Sequence, residues 1–231
     1  MNKYEIIQKI EKVAPVENAE SWDCVGFMVE TGKIEVSKIM LCLTVTKDVV
    51  AQARKLGCDM IISHHPLFYV PVDWSGIDIY SAHTNLDKAS CGTTETLIDK
   101  LGLREFVQPI EHEFLRGIDF GKSVAVEEFV SVLKQVSPNL RYVNNEGRED
   151  LRHVAFCAGS GSEFISEAKE MGFDALVTGD LKFHTALDSE IILFDIGHFE
   201  SEIIVLSELK KLIGQGVETV YADEKSPFVY G

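Results

Sequence analysis

The chain has 231 residues, 45% of them hydrophobic, enough for one large or two small domains with substantial cores. Its formal net charge of −15 is spread along the sequence with no basic block to neutralise a phosphate backbone, which excludes polynucleotide binding as the main task. Five separated cysteines (Cys24, Cys42, Cys58, Cys91, Cys157), without a C-x-x-C pair, read as reduced cytosolic thiols; with no export signal and no apolar run of about 18 residues, the expected location is the cytoplasm, away from membranes.

Taken in order, Ile6, Ile7, Ile10 and Val13 recur at helical spacing over 4–13, and Pro15 stops the pattern. The run 38–45 predicts a strand, 46–56 a helix closed by Gly57, and 58–63 a second strand, so the three form a right-handed β-α-β unit. His64 and His65 stand at the carboxyl end of that strand, before Pro66 denies the next ladder hydrogen bond. Alternation along a strand sends neighbouring side chains to opposite faces, so the two imidazoles are expected to diverge and serve two centres. A further strand, 77–82, ends at His83-Thr84-Asn85-Leu86-Asp87, and a helix follows over 93–101.

Shifted by 115 positions without a gap, 39–98 overlays 154–213, matching Cys42 with Cys157, Gly57 with Gly172, Asp59 with Asp174 and His83 with His198. Asp87 then meets Glu202, and the first helix has its own counterpart around Glu128 to Pro138. The fold expected is α/β: two related α/β lobes from an internal duplication, with a metal site in the cleft between them. Their bounds are 1–103 for the first repeat, 104–122 for a connection and 123–231 for the second repeat. At the places of His64 and His65 the second half carries Gly179 and Asp180, so any metal site is asymmetric.

His198 and Glu202 fall one turn apart on one face of a helix expected over 199–213, where a nitrogen and a carboxylate can grip one ion or two adjacent ions. With His64, His65 and Asp87 they make a set of three imidazoles and two carboxylates at strand ends, where open α/β sheets collect ligands. Two metals about 3.5–4 Å apart would be bridged by Glu202 or Asp87 and by a water or hydroxide, acidified toward a pKa of about 7. Formal counting leaves the centre positive, so a small anionic substrate or phosphate is the expected partner. His112 and His153 are expected to be exposed or satisfied locally; His83 and His184 lie near the mouth, where the alternatives are orienting ligands, meeting substrate or a structural role behind the ligands, and Asp180 is left unassigned.

Ile62-Ser63-His64-His65-Pro66-Leu67-Phe68, His83-Thr84-Asn85-Leu86-Asp87 and Gly197-His198-Phe199-Glu200-Ser201-Glu202 resemble the three signature segments of the Nif-three-like family, whose bacterial members carry the label GTP cyclohydrolase I type 2 homologue. Ser21-Trp22-Asp23-Cys24-Val25-Gly26 is similar to its amino-terminal element and Ser226-Pro227-Phe228 to its terminal Asp-Pro-Phe, with Cys24 in place of asparagine and Ser226 in place of the acid. The resemblance implies two α/β lobes, a dinuclear metal centre and a hexameric ring built from dimers. Residue by residue, it implies that His64 binds one metal together with His198, that His65 and Asp87 bind the other, and that Glu202 bridges both.

The function expected is that of a dinuclear metal-dependent hydrolase acting on a nucleotide or small phosphorylated substrate, GTP cyclohydrolase-like by resemblance. The alternative is a metal-storage, metal-delivery or regulatory protein without turnover. A nitrogen and oxygen ligand set admits zinc, manganese, iron, nickel or cobalt, and no general acid is assigned.

Overall fold

The computed structural model describes residues 1–229. In chain order its elements are α1 (Lys3–Glu11), β1 (Gly26–Val29), β2 (Lys38–Cys42), α2 (Lys47–Lys55), β3 (Met60–Ser63), β4 (Asp78–Ser81), α3 (Thr84–Asp87) and α4 (Thr93–Lys100). There follow β5 (Val107–Gln108), β6 (Arg116–Ala125), α5 (Val126–Leu133), β7 (Arg141–Val143), β8 (Asp150–Phe156), α6 (Ile165–Glu170) and β9 (Ala175–Thr178). The last are α7 (Phe183–Leu187), β10 (Ile192–Asp195), α8 (His198–Glu202), α9 (Leu206–Ile213) and β11 (Glu218–Tyr221).

The chain divides into two compact units, Met1–Gly92 with Val205–Lys225, and Thr93–Ile204 with the described residues from Ser226 on. The first holds a sheet of order β1-β4-β3-β2-β11, in which β11, β2, β3 and β4 run parallel and β1 closes the edge antiparallel to β4. All four residues of β3 are buried, as expected of an inner parallel strand covered on both faces, which is why it reads as an unbroken apolar run rather than an alternating one. Met40, Cys42 and Ile61 pack with Val49, Val50 and Ala53 of α2. Ile39, Leu41, Met60 and Ile62 are fully buried as well, and α1 and α9 pack together in the same unit. Each such aliphatic side chain contributes about 1.5–3 kcal/mol on burial. Helix α1 starts at Asn2, whose side chain accepts from Tyr4 N, and α2 at Thr46, whose side chain accepts from Val49 N.

The second unit holds a sheet of order β5-β6-β8-β9-β10-β7, with β8, β9 and β10 parallel and the flanking strands antiparallel. Residues 104–122 are therefore more than a connection: β6 runs Arg116–Ala125 along β8 as part of the sheet. The polar stretch after Leu140 likewise includes β7, paired at the edge with β10.

One detail is common to both sheets. Asp59, before β3, accepts from the backbone N–H groups of Ser37 and Lys38, while its own N–H donates to Lys38 O. Asp174, before β9, accepts from Arg152 and His153 N–H and donates to His153 O. These are the positions that the overlay of the two halves sets against each other. The helices behave differently. The overlay sets α4 against α9, but α4 packs in the second unit, with Leu97, Ile98 and Leu101 against Phe129 and Leu133, whereas α9 packs in the first, where Ile213 O accepts from Lys9 Nζ at 2.7 Å. The unit boundaries fall at 92/93 and 204/205.

Candidate metal centre

In the first unit the backbone beyond β3 stays on the ladder: His64 N–H donates to Cys42 O at 3.2 Å and His65 N–H to Leu43 O at 2.8 Å. Two serine hydroxyls fix the peptide further, Ser81 donating to His64 O and Ser63 to His65 O, each at 2.8 Å. His64 is fully buried and its Nδ1 lies 2.9 Å from Ala82 O, at the end of β4. His65 turns toward the other neighbour, its Nδ1 2.7 Å from Thr44 Oγ1, beyond β2. The two rings thus address different strands, yet their centroids are only 5.2 Å apart. Their divergence is sideways along the sheet edge rather than to opposite faces.

The short helix α3 brings Asp87 to the same place, its Oδ1 3.5 Å from His64 Nε2. His83, which precedes α3, completes the cluster: one ligand atom each from His64, His65 and His83 lie within 4.8 Å of one another, a group able to hold a metal ion. Its Nδ1 stands 3.0 Å from both oxygens of Asp23, whose carboxylate also accepts from Thr84 N–H and Oγ1–H. Burial pushes the Asp23 carboxyl up, but hydrogen bonds from Thr84 and His83 outweigh it and leave the pKa lowered.

In the second unit Gly197, with φ +83, opens α8, and His198 and Glu202 meet across one turn with Nε2 to Oε2 at 2.9 Å. Asp180, itself in the left-handed region at φ 56, receives His198 Nδ1 at 2.7 Å. Glu202, hydrogen-bonded to Nε2, pushes the His198 pKa up to about 9 against the opposing effect of burial, with Asp180 adding to the rise. The carboxylate of Glu202 lies against Gly159, where a Cβ would come within 2.1 Å of Oε1, and Gly159 N–H donates to Ser201 Oγ at 2.9 Å. Gly179 makes a similar close approach, since a Cβ there would meet His198 N at 2.7 Å. Two glycines therefore shape the seat of this pair.

The Nδ1 atom of His64 faces a backbone carbonyl that can only accept, so this ring carries a proton on Nδ1 and turns Nε2 the other way, whereas His198 is held at both nitrogens by carboxylates, Asp180 at Nδ1 and Glu202 at Nε2. The first is the arrangement by which a histidine is oriented to ligate a cation. Sequence reasoning left Asp180 without a role and did not name Thr44, Asp23 or Gly159 among the functional residues. Thr44 sits in an unremarkable polar step after a strand, and only its position opposite His65 singles it out. His112 and His153 are held locally, by Glu167 at 2.7 Å and Asp119 at 3.4 Å. His184 is exposed in α7, beside the ring of Phe183. Cys42, Cys58 and Cys157 are buried, and Cys24 and Cys91 half-buried.

Among curated proteins, a protein named GTP cyclohydrolase 1 type 2 homolog from Clostridium perfringens is 31% identical, with all of both chains covered. One of the same name from Campylobacter jejuni is 28% identical over all of both chains. Among solved structures, reduced HcgD from Methanocaldococcus jannaschii superposes with a TM-score of 0.84 at 26% identity, covering 97% of this chain and 98% of that one. The Staphylococcus aureus protein SA1388 superposes with a TM-score of 0.84 at 22% identity, covering 100% and 99%, which shows a shared fold. No helix among the described residues is long and apolar enough to cross a membrane. The family described as Duf34/NIF3 (NGG1p interacting factor 3) matches residues 1–227, and this chain belongs to it.

Proposed function

We propose that the chain binds two divalent cations through His64, His65, Asp87, His198 and Glu202 and acts with them as a hydrolase on a nucleotide or another small phosphorylated substrate. The observation that carries this reading is the orientation of the imidazoles: Nδ1 of His64, His65 and His198 each faces an oxygen, of Ala82, Thr44 and Asp180 respectively. A histidine held this way is fixed in direction before any ion arrives, which lowers the entropy lost on ligation. The ligand set itself follows the family motifs.

When bound, two such ions supply Lewis acidity and a water acidified toward a pKa of about 7. The residues of the chain do the rest. Asp87 and Glu202 offset only part of the cationic charge, so the centre attracts an anion. Asp180 and Thr44 hold the rings of His198 and His65 against rotation, and Gly159 leaves room for the Glu202 carboxylate. The name shared by the curated relatives, GTP cyclohydrolase 1 type 2 homolog, supports a nucleotide as the substrate class. A homohexamer in the cytoplasm, and two units descended from one duplicated lobe, complete the reading; the matching Asp59 and Asp174 clasps support the duplication.

The test is elemental analysis of protein purified without chelators, followed by assay of GTP and a panel of phosphoesters with the metal found restored. Turnover that stops on chelation is expected. A protein that exchanges its metal rapidly with a chelator and leaves every substrate unchanged is instead a metal-storage or delivery protein.

A further inference from the structure

Within the second unit, one cavity of about 250 Å³ adjoins His198 and includes Asn139, Arg141, Asp180 and Phe228 in its lining. Arg141, at the start of edge strand β7, is anchored on one side only. Its Nε donates to Asp195 Oδ2 at 2.8 Å and one terminal nitrogen, Nη2, donates to Leu181 O at 2.8 Å. Asp195 is 6% exposed and also accepts from the N–H groups of Leu181 and Gly197, so the carboxylate that holds the guanidinium is itself held. The other terminal nitrogen, Nη1, makes no hydrogen bond among the described residues, and the Arg141 side chain is 72% exposed. A guanidinium clamped along one edge with the other turned outward is a preorganised donor for an oxyanion. In a chain of net charge −15 such a donor is out of keeping with the general surface.

The carboxylates in the lining do not cancel it: Asp195 is engaged with Arg141, and Asp180 with His198 Nδ1. The rest of the lining includes one phenyl ring, that of Phe228. Phe228, 68% exposed, is carried by the terminal Ser226-Pro227-Phe228 segment, where Ser226 Oγ accepts from Phe228 N–H at 3.4 Å. An exposed phenyl ring at a cavity wall offers a flat apolar surface to another ring.

We propose that this cavity is a ligand subsite for a planar ring bearing an oxyanion, of the mononucleotide class, with the oxyanion on Arg141 Nη1 and the ring against Phe228. The subsite deepens the function proposed above and rests on it in one respect, the assignment of His198 as a ligand of the reacting centre. Arg141 then reads the anionic group remote from the chemistry, and Phe228 the ring. It also gives the terminal Pro-Phe segment a role that packing alone does not.

The test is calorimetric titration of the full-length, metal-loaded protein with AMP and GMP, with adenosine and guanosine, and with inorganic phosphate. Hydrogen bonds to a charged partner predict that Arg141→Ala weakens mononucleotide binding roughly ten- to a hundredfold while leaving nucleoside binding unchanged. Phe228→Ala, a change at an exposed side chain, is expected to weaken nucleotide and nucleoside alike by about three- to tenfold and to leave phosphate unaffected. Mononucleotide binding equal to wild type in either variant overturns the subsite, as does wild-type protein that binds no mononucleotide at millimolar concentration. Should Arg141→Ala fail to fold, the Phe228→Ala titration decides. Metal content is read separately on the same samples. Arg141-dependent binding without two ions per chain refutes the metal reading and keeps the subsite; two ions without nucleotide binding do the reverse.

Discussion

Gly159→Ala tests whether the seat of Glu202 is set by the space beside a glycine. The residue has φ +68, where an L side chain costs about 1–2 kcal/mol, and the new Cβ would lie 2.1 Å from Glu202 Oε1 and 3.0 Å from its Cδ. Ordinary contact requires the carboxylate to retreat by more than about 1 Å, which breaks the 2.9 Å contact with His198 Nε2. A hydrogen bond to a charged partner is worth about 1.5–3 kcal/mol, and both side chains are more than two-thirds buried, at 31% and 6% exposed. The expected loss is therefore about 2.5–5 kcal/mol, or roughly 5–20 °C in melting temperature for a chain of this size. Gly172→Ala is the control, since φ is +83 and nothing lies within 4 Å of its Cβ, so it carries the backbone strain alone, about 1–2 kcal/mol. Thermal melts followed by circular dichroism give the difference between the two variants, and zinc or cobalt titration gives its consequence. Metal affinity should fall about ten- to a hundredfold in Gly159→Ala and not at all in Gly172→Ala. If the two variants melt together and bind metal equally, Glu202 is not placed by Gly159 and the reasoning is refuted.

Three further outcomes follow from particular contacts. Thr44→Val removes the oxygen 2.7 Å from His65 Nδ1 and should lower metal affinity by about tenfold in a chelator competition, with Thr44→Ser restoring it; equal affinity in all three proteins rules out a positioning role. Lys3 and Asp78 form an ion pair, 3.2 Å apart, whose side chains are both fully buried, so Lys3→Met alone should cost about 3–5 kcal/mol in denaturant unfolding. Lys3→Met with Asp78→Leu should recover most of that cost, and a double variant as unstable as the single one would show that packing, not charge, is what Lys3 supplies. Burial raises the carboxyls of Asp59 and Asp174, but donors outweigh it, Lys33 and Ser37 for the first and the His153 and Arg152 N–H groups for the second, so both pKa values are lowered in the fold. A depressed carboxylate contributes stability that is present above its unfolded pKa of about 3.9 and is lost as pH falls through the folded value, so melting temperature should hold above about pH 5 and drop below about pH 4. Asp59→Asn with Asp174→Asn should flatten that drop, and an unchanged acid limb would assign it to other carboxyls.

What could be read along the chain is what depends on local periodicity and on motif order. Ile6, Ile7 and Ile10 lie buried on one face of α1, and the apolar run before His64 became β3, buried throughout, because burying a helical stripe or an inner strand needs no knowledge of the partner's identity. The three motif segments, in their order, were enough to place the chain in its family. Tertiary structure decided the rest. Thr44 reaches His65, Asp23 reaches His83 and Asp180 reaches His198 only because strand order brings their loops together, and these partners are 21, 60 and 18 positions apart in sequence with no spacing rule linking them. The unit to which α4 and α9 belong was likewise beyond the pattern, since an amphipathic helix declares that it has an apolar face but not which of two similar sheets will cover it. Periodicity states which surfaces must be buried; the closure of the backbone states against what, and with it which oxygen aims each histidine.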